Sequence, residues 1–98
     1  MQNNKVISRF RLGMIIKVSS KFEKQYKRLP KDIKEQAKDK ENIFRFYPFD
    51  LSLKTHKLSG KDSGCWAFWI NYSYRIKFIF VSQSEVLFLE VGLHNIYK

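Results

Sequence analysis

The sequence predicts a single α+β domain in which an N-terminal strand and two helices pack on a small, mainly antiparallel sheet of four to five strands. Residues 14–19, "MIIKVS", form a short β-branched run that is typical of a strand. Between Ser20 and Pro48 the apolar residues recur at helical spacing. After Pro48 strand-like runs joined by short links favour an antiparallel meander. The predicted order is β-α-α-β-β-β-β, with the helices on one face of the sheet.

The two helices are predicted as a hairpin. The first should begin at Ser19 or Ser20, because Ser20 and Glu23 match a capping box. Pro30 ends this helix and starts the second, which Pro48 stops. The apolar residues that share a face are Phe22, Tyr26 and Leu29 in the first helix, and Ile33, Ala37 and Phe44 in the second.

The strands after the hairpin are predicted from β-branched and aromatic runs. They are Lys54–Ser59, Trp66–Tyr72, Tyr74–Ser82 and the run "EVLFLEV" from Glu85, with "SGKDSG" as a turn after the first. Between Tyr74 and Phe80 alternate residues face opposite sides, and the side with Ile76 should meet the helices. Arg75 and Lys77 are therefore expected on the open face, where an arginine fork suits phosphate. The alternative for Arg75 is a salt bridge to Glu90.

Length and composition limit the function classes. The 98 residues fit one domain, which we predict over residues 14–98, preceded by a poorly ordered extension over residues 1–13. Cys65 is the only cysteine, which excludes an intrachain disulfide and suits a reducing cytoplasm. No apolar run is long enough to span a membrane. The net charge of +10 favours a polyanionic partner, with solubility alone as the alternative.

The histidines are the candidates for acid–base chemistry. RNA strand cleavage needs a base for the 2′-hydroxyl, an acid for the 5′-oxygen, and cations around the phosphorane. His56, His94, Arg75 and neighbouring lysines could supply this set without a metal or a cofactor. Lys54 and His56 share a strand face, where the lysine would hold an anionic substrate. The alternatives are an ordinary surface histidine at 56 and a frayed, polar C-terminus around His94.

Four segments resemble the RelE/ParE superfamily of bacterial toxin–antitoxin toxins. They are "FEKQYKRLPKDIKEQ" (22–36), "PFDLSLKTHKLSG" (48–60), "GCWAFWINYSYRIKFIF" (64–80) and "VLFLEVGLHNIY" (86–97). The resemblance covers residues 14–97, and its specificity comes from the order and spacing of the segments. It implies a RelE-like fold: a small antiparallel sheet with an N-terminal α-hairpin.

The resemblance also implies a set of site residues. The catalytic residues that it implies are His56, Arg75, His94 and Tyr97. The expected RNA-binding residues, Lys54, Lys57 and Lys77, come instead from their positive charge beside these positions. The chain departs from the YafQ-like pattern where Trp69 and Ser73 replace a histidine and an aspartate. It departs from RelE in lacking a dense run of arginines at its end. Which residue is the base and which the acid stays open.

The function that this resemblance implies is that of a type II toxin, a ribosome-dependent mRNA endonuclease in the cytoplasm. The expected partners are the ribosome, mRNA and a cognate antitoxin, whose partly acidic C-terminal segment would fold as it wraps the basic surface in a hetero-oligomer. Two rivals stay open, because fold alone does not decide function. One is a ParE-like inhibitor of DNA gyrase, and the other is a basic nucleic-acid-binding module without catalysis.

Overall fold

The predicted α+β architecture is confirmed. The computed structural model describes residues 12–97, with side chains as far as residue 95, so most of the expected extension over residues 1–13 lies outside the described residues. The elements are β1 (Ile15–Val18), α1 (Ser20–Lys27), α2 (Lys31–Phe46), β2 (His56–Lys57), β3 (Trp66–Trp69), β4 (Tyr74–Phe80) and β5 (Glu85–Leu93). Short 3₁₀ turns occupy Leu51–Leu53, Gly60–Asp62 and His94–Tyr97.

The strands form one sheet in the order β1-β5-β4-β3-β2. Strands β2 to β5 are the predicted antiparallel meander, and β1 adds to its edge parallel to β5. The helical hairpin between β1 and β2 carries the chain across one face, from one edge of the sheet to the other. Neither helix in residues 12–97 has the length and apolar character that crossing a bilayer requires.

The core lies between the helices and the inner face of the sheet. Phe44 of α2 stands at its centre, with its ring centroid 4.7 Å from Phe68, 4.9 Å from Phe78 and 5.6 Å from Phe88. The predicted helix faces are confirmed, since Phe22, Ile33, Ala37 and Phe44 are all buried. Truncating a core phenylalanine to alanine typically costs about 3–5 kcal/mol, so this aromatic cluster fixes the helices on the sheet.

The first helix is capped by Ser19 and not by the predicted Ser20. The Ser19 hydroxyl accepts a hydrogen bond from the Phe22 amide at 3.0 Å and donates one to the Leu89 carbonyl at 2.8 Å. Leu89 is a bulge in β5, because Lys77 pairs with Glu90 while Phe78 pairs with Phe88. The Ser19 hydroxyl therefore joins the first turn of α1 to this bulge, a pair of contacts that fixes Ser19 as the cap.

Strand β2 is shorter than predicted, with only His56–Lys57 in place of Lys54–Ser59. The Asp50 carboxylate accepts a hydrogen bond from the Ser52 amide and starts a 3₁₀ turn. Lys54 closes that turn at φ 51°, in the left-handed region, so the chain becomes extended only beyond it.

Candidate active site

Several of the expected site residues meet at one end of the sheet, next to the turn that joins β3 to β4. We call this region the turn end. Trp69 of β3 pairs with Arg75 of β4, which pairs with Gly92 of β5. The His94 amide donates a hydrogen bond to the Ser73 carbonyl at 2.9 Å, which places the end of β5 against the same turn. Three adjacent strands thus bring Trp69, Arg75 and the end of β5 together at this end of the sheet.

Arg75 lies at the turn end, but the expectation that it stands exposed is wrong, because only 6% of it is accessible. Its Nη1 donates to the carbonyls of Asn71 (2.9 Å), Tyr72 (2.7 Å) and Tyr74 (3.3 Å). Its guanidinium carbon lies 4.0 Å from the Trp69 ring centroid. The Tyr74 carbonyl also accepts from the Ile70 amide at 2.9 Å, whereas the carbonyls of Asn71 and Tyr72 lie in the turn itself and are bonded by the guanidinium. Arg75 therefore braces the turn.

Lys77 is also buried, at 7% exposure, and its expected place on an open face is wrong as well. Its Nζ lies 2.9 Å from Glu90 and 3.2 Å from Asp62, so the bridge to Glu90 comes from Lys77 and not from Arg75. Burial alone would lower the pKa of Lys77, but hydrogen bonds and charge attraction from the two carboxylates outweigh it and raise the pKa. Burial would likewise raise the pKa of Glu90, and Lys77 reverses this and lowers it.

The two buried cations differ in how their charge is balanced. Lys77 contacts Asp62 and Glu90, and Glu90 also pairs with Lys21 at 3.3 Å, so this cluster of two lysines and two carboxylates has a formal charge of zero. No carboxylate among the described side chains pairs with Arg75, whose partners are carbonyls and an aromatic ring. The charge of Arg75 is therefore not cancelled by an anion, and it makes the turn end attractive to a phosphate.

Lys54 lies just before β2 and approaches the turn end, while His56 lies in β2, in the row of Lys77. The Lys54 ammonium lies 5.5 Å from the Trp69 ring centroid, and the Nδ1 atom of His56 lies 2.8 Å from the Lys54 carbonyl oxygen. Because a carbonyl only accepts hydrogen bonds, Nδ1 carries the proton, and Nε2 is the basic nitrogen of the neutral ring. Lys54 and His56 therefore lie side by side on this face of the sheet.

The remaining expected residues are more distant. Lys57 points to the opposite face, where its ammonium lies 5.6 Å from the Trp66 ring centroid. His94 is exposed at the end of β5, and Tyr97 belongs to the same 3₁₀ turn, although its side chain lies beyond the described ones.

The two histidines do not touch. His56 shares a row across the sheet with Glu90, four residues before His94. Three strand spacings of about 4.8 Å and four residues at about 3.3 Å each place the two Cα atoms roughly 20 Å apart. The histidines therefore stand on either side of the turn end.

Two contributors to this region were missed in the sequence. Asp62 lies in the "SGKDSG" turn, where nothing in the local pattern indicates that its carboxylate reaches Lys77. Trp69 was noted only as a departure from the YafQ-like pattern, yet its ring lies beside both Lys54 and Arg75. Strand alternation could have found Trp69, since it is out of phase with the buried Phe68.

Comparison with known proteins places this architecture among solved toxins. The YoeB/ParE toxin from Agrobacterium tumefaciens superposes with a TM-score of 0.69 at 19% identity, over 83% of this chain and 99% of that one. The Escherichia coli DinJ–YafQ toxin–antitoxin complex gives a TM-score of 0.70 at 17% identity, over 89% of this chain and 100% of that one. The archaeal RelE–RelB complex from Pyrococcus horikoshii gives 0.68 at 15% identity, over 87% and 99%.

This is the RelE/ParE toxin fold. No family model and no curated protein sequence matches the chain, so the likeness rests on structure. At these identities it shows the fold and leaves the activity to be argued from the residues. Among the described residues no three His, Cys, Asp or Glu side chains are grouped to hold a metal ion.

Proposed function

We propose that this protein is the toxin of a type II toxin–antitoxin pair and acts in the cytoplasm as a ribosome-dependent mRNA endonuclease. The observation that carries the proposal is that Lys54 and the uncancelled charge of Arg75 lie beside the same Trp69 ring, in a RelE/ParE toxin fold. His56 is hydrogen-bonded to the Lys54 carbonyl. The net charge of +10 suits ribosomal RNA and mRNA as the surfaces on which it docks.

The reaction needs only proton transfer and charge stabilisation. A base takes the proton of the 2′-hydroxyl, and the 2′-oxygen attacks phosphorus to form a cyclic phosphate. The bond to the 5′-oxygen breaks, and an acid protonates that oxygen. His56 and His94 flank the turn end and supply the base and the acid between them. Lys54 contacts the phosphate, and Arg75 acts on it through its field.

The other expected residues have supporting roles in the proposal. Tyr97, three residues after His94, keeps the role that the resemblance implies, that of a C-terminal aromatic residue assigned to the reaction. Lys57, on the opposite face, contacts ribosomal RNA beyond the scissile phosphate. The ion pairs of Lys77 argue against a direct contact with RNA, and its proposed contribution is to hold the face on which His56 lies.

An antitoxin is the proposed protein partner. The E. coli YafQ structure that shares this fold is a complex with DinJ, and a basic surface favours an antitoxin segment that is partly acidic. Such a segment folds as it binds, which makes the pair a hetero-oligomer.

The decisive test is mRNA cleavage by histidine variants. His56→Ala and His94→Ala should each slow cleavage at ribosome-occupied codons by roughly 10²–10⁴-fold, the usual contribution of one general acid or base. Asn95→Ala, at the exposed neighbour of His94, is the matched control and should cut at the wild-type rate. Melting temperature and antitoxin binding should stay close to wild type in all three variants, because none of these side chains is buried.

A ParE-like activity gives the opposite result. Purified protein would then block supercoiling by DNA gyrase while translation continued, and the two histidine variants would remain toxic. Wild-type cleavage rates in both histidine variants would remove the catalytic assignment even if translation were inhibited.

A further inference from the structure

Tyr72 stands at the tip of the β3–β4 turn and is 81% exposed, more than any other aromatic side chain among residues 12–95. Its neighbours in the turn, Asn71 and Ser73, are polar. The endonuclease chemistry proposed above makes no use of this ring.

The turn beneath Tyr72 is held from several sides. The Asn71 side-chain oxygen accepts hydrogen bonds from the amides of Ser73 and Tyr74, both at 2.9 Å, and its Nδ2 donates to Gln36 of α2 at 2.9 Å. Arg75 donates to the Tyr72 carbonyl at 2.7 Å. The backbone that carries the ring is therefore fixed before any ligand arrives, which lowers the entropic cost of binding.

Trp69 orients the ring. Its centroid lies 5.9 Å from that of Tyr72, with the planes at 84°, an edge-to-face contact. The guanidinium of Arg75 and the ammonium of Lys54 lie beside Trp69, at 4.0 and 5.5 Å from its centroid. An exposed ring on a rigid turn, with a cation one aromatic residue away, is the combination that binds a nucleobase together with its phosphate.

We propose that Tyr72 is a stacking platform for one unpaired nucleobase of single-stranded RNA, with Lys54 contacting a neighbouring phosphate. The proposal rests on the endonuclease function and names the part of the substrate that this turn holds. A single-stranded base fits because paired bases do not offer their faces. A protein contact fits less well, because aromatic anchors in protein interfaces are normally ringed by further apolar contacts, which Asn71 and Ser73 do not supply.

The test uses single-stranded 2′-O-methyl RNA, which cannot be cleaved, with 2-aminopurine placed at one position at a time. Binding of the full-length wild-type protein should quench the fluorescence at one position. Tyr72→Ala should abolish that quench and weaken binding roughly 5- to 150-fold, the range for loss of one stacked base. Tyr72→Phe should retain both, since the ring is kept.

Two further readouts separate stacking from general damage. Tyr47→Ala removes another exposed tyrosine, at the end of α2, and should bind like wild type. The slope of log K against log salt should be the same for wild type and Tyr72→Ala, because no phosphate contact is lost. The melting temperature of Tyr72→Ala should also equal that of the wild-type protein.

Each part of the argument can fail separately. Quenching that Tyr72→Ala leaves intact, or equal affinities for the two proteins, overturns the platform whatever the result for mRNA cleavage. Loss of antitoxin binding with unchanged RNA binding also overturns it and makes the ring a protein contact. If the wild-type protein stacks the probe yet cuts no mRNA on ribosomes, the platform stands and the endonuclease proposal fails.

Discussion

Replacing Lys77 by methionine tests whether this lysine is structural or binds RNA. The change keeps most of the side-chain volume and removes the charge between Asp62 and Glu90. Glu90 retains Lys21 at 3.3 Å and Gln25 at 3.4 Å. Asp62 keeps no other ion pair among the described side chains, and its Oδ2 atom is already buried without a hydrogen-bond partner.

The expected loss of stability follows from this geometry. Removing one partner of a buried ion pair typically lowers the free energy of unfolding by about 3–5 kcal/mol. Because Glu90 keeps its contacts with Lys21 and Gln25, we expect a loss of about 3 kcal/mol. For a domain of this size, that corresponds to a fall in Tm of about 12–24 °C. The matched control is Lys17→Met, which removes an exposed lysine paired with Glu85 at 3.3 Å and should cost about 1 kcal/mol or less.

The pH dependence gives a second signature. Because the pKa of Glu90 is lowered on folding, its contribution is present above an unfolded pKa of about 4.3 and is lost as pH falls. The raised pKa of Lys77 means that its contribution is present below about pH 10.4 and is lost above the folded value. In Lys77→Met the ammonium between Asp62 and Glu90 is gone and only the exposed Lys21 still pairs with Glu90, so protonation of a carboxylate removes part of the remaining repulsion. The deficit should therefore shrink between pH 7 and pH 4.

Urea denaturation of wild type, Lys77→Met and Lys17→Met at both pH values measures these differences. Equal losses in the two variants, or a deficit that does not change with pH, would refute the reasoning. A Lys77→Met protein with wild-type stability that no longer binds RNA would restore the original expectation that this lysine contacts the substrate.

Three other predictions follow from the contacts. Arg75→Ala should lower stability by about 2 kcal/mol, measured by urea denaturation, because three turn carbonyls lose a charged donor; an unchanged midpoint would contradict its bracing role. Ser19→Ala should lower the free energy of unfolding by about 1 kcal/mol, whereas Ser20→Ala should change it by no more than about 0.5 kcal/mol. A larger loss for Ser20→Ala than for Ser19→Ala would mean that Ser20 is the true cap. Lys54→Ala should make the slope of log K for RNA against log salt shallower by about one, and an unchanged slope would exclude a phosphate contact there.

The fold could be predicted because its determinants are periodic. Ile33, Ala37 and Phe44 lie on one helical face and Ile76 and Phe78 on one strand face, and all five are buried as expected. These positions depend on local spacing, which a sequence displays directly. The bulge at Leu89 could not be predicted, because it depends on how β4 pairs with β5. These strands are distant in sequence from the helix whose cap bonds to the bulge.

The site was predicted less well for a physical reason. Alternation correctly places Arg75 and Lys77 away from the helices, but it does not say whether that face is open. The loop of residues 58–65 brings Asp62 onto Lys77, and the β3–β4 turn closes on Arg75. Loop contacts of this kind have no period, so an orientation derived from strand spacing does not establish exposure.

The buried cations also determine where on this face an anion should bind. At about 8 Å and an effective dielectric constant near 20, one unit charge acts on a phosphate with about 2 kcal/mol. The cluster of Lys77 and Lys21 with two carboxylates is neutral and offers a phosphate no net attraction, whereas Arg75 lacks a carboxylate partner among the described side chains and attracts it. This difference favours a phosphate at the turn end, beside Lys54. An arginine can thus contribute to RNA binding from a buried position, which explains how a cation placed in an apolar strand stabilises a turn and still acts on a substrate that it does not touch.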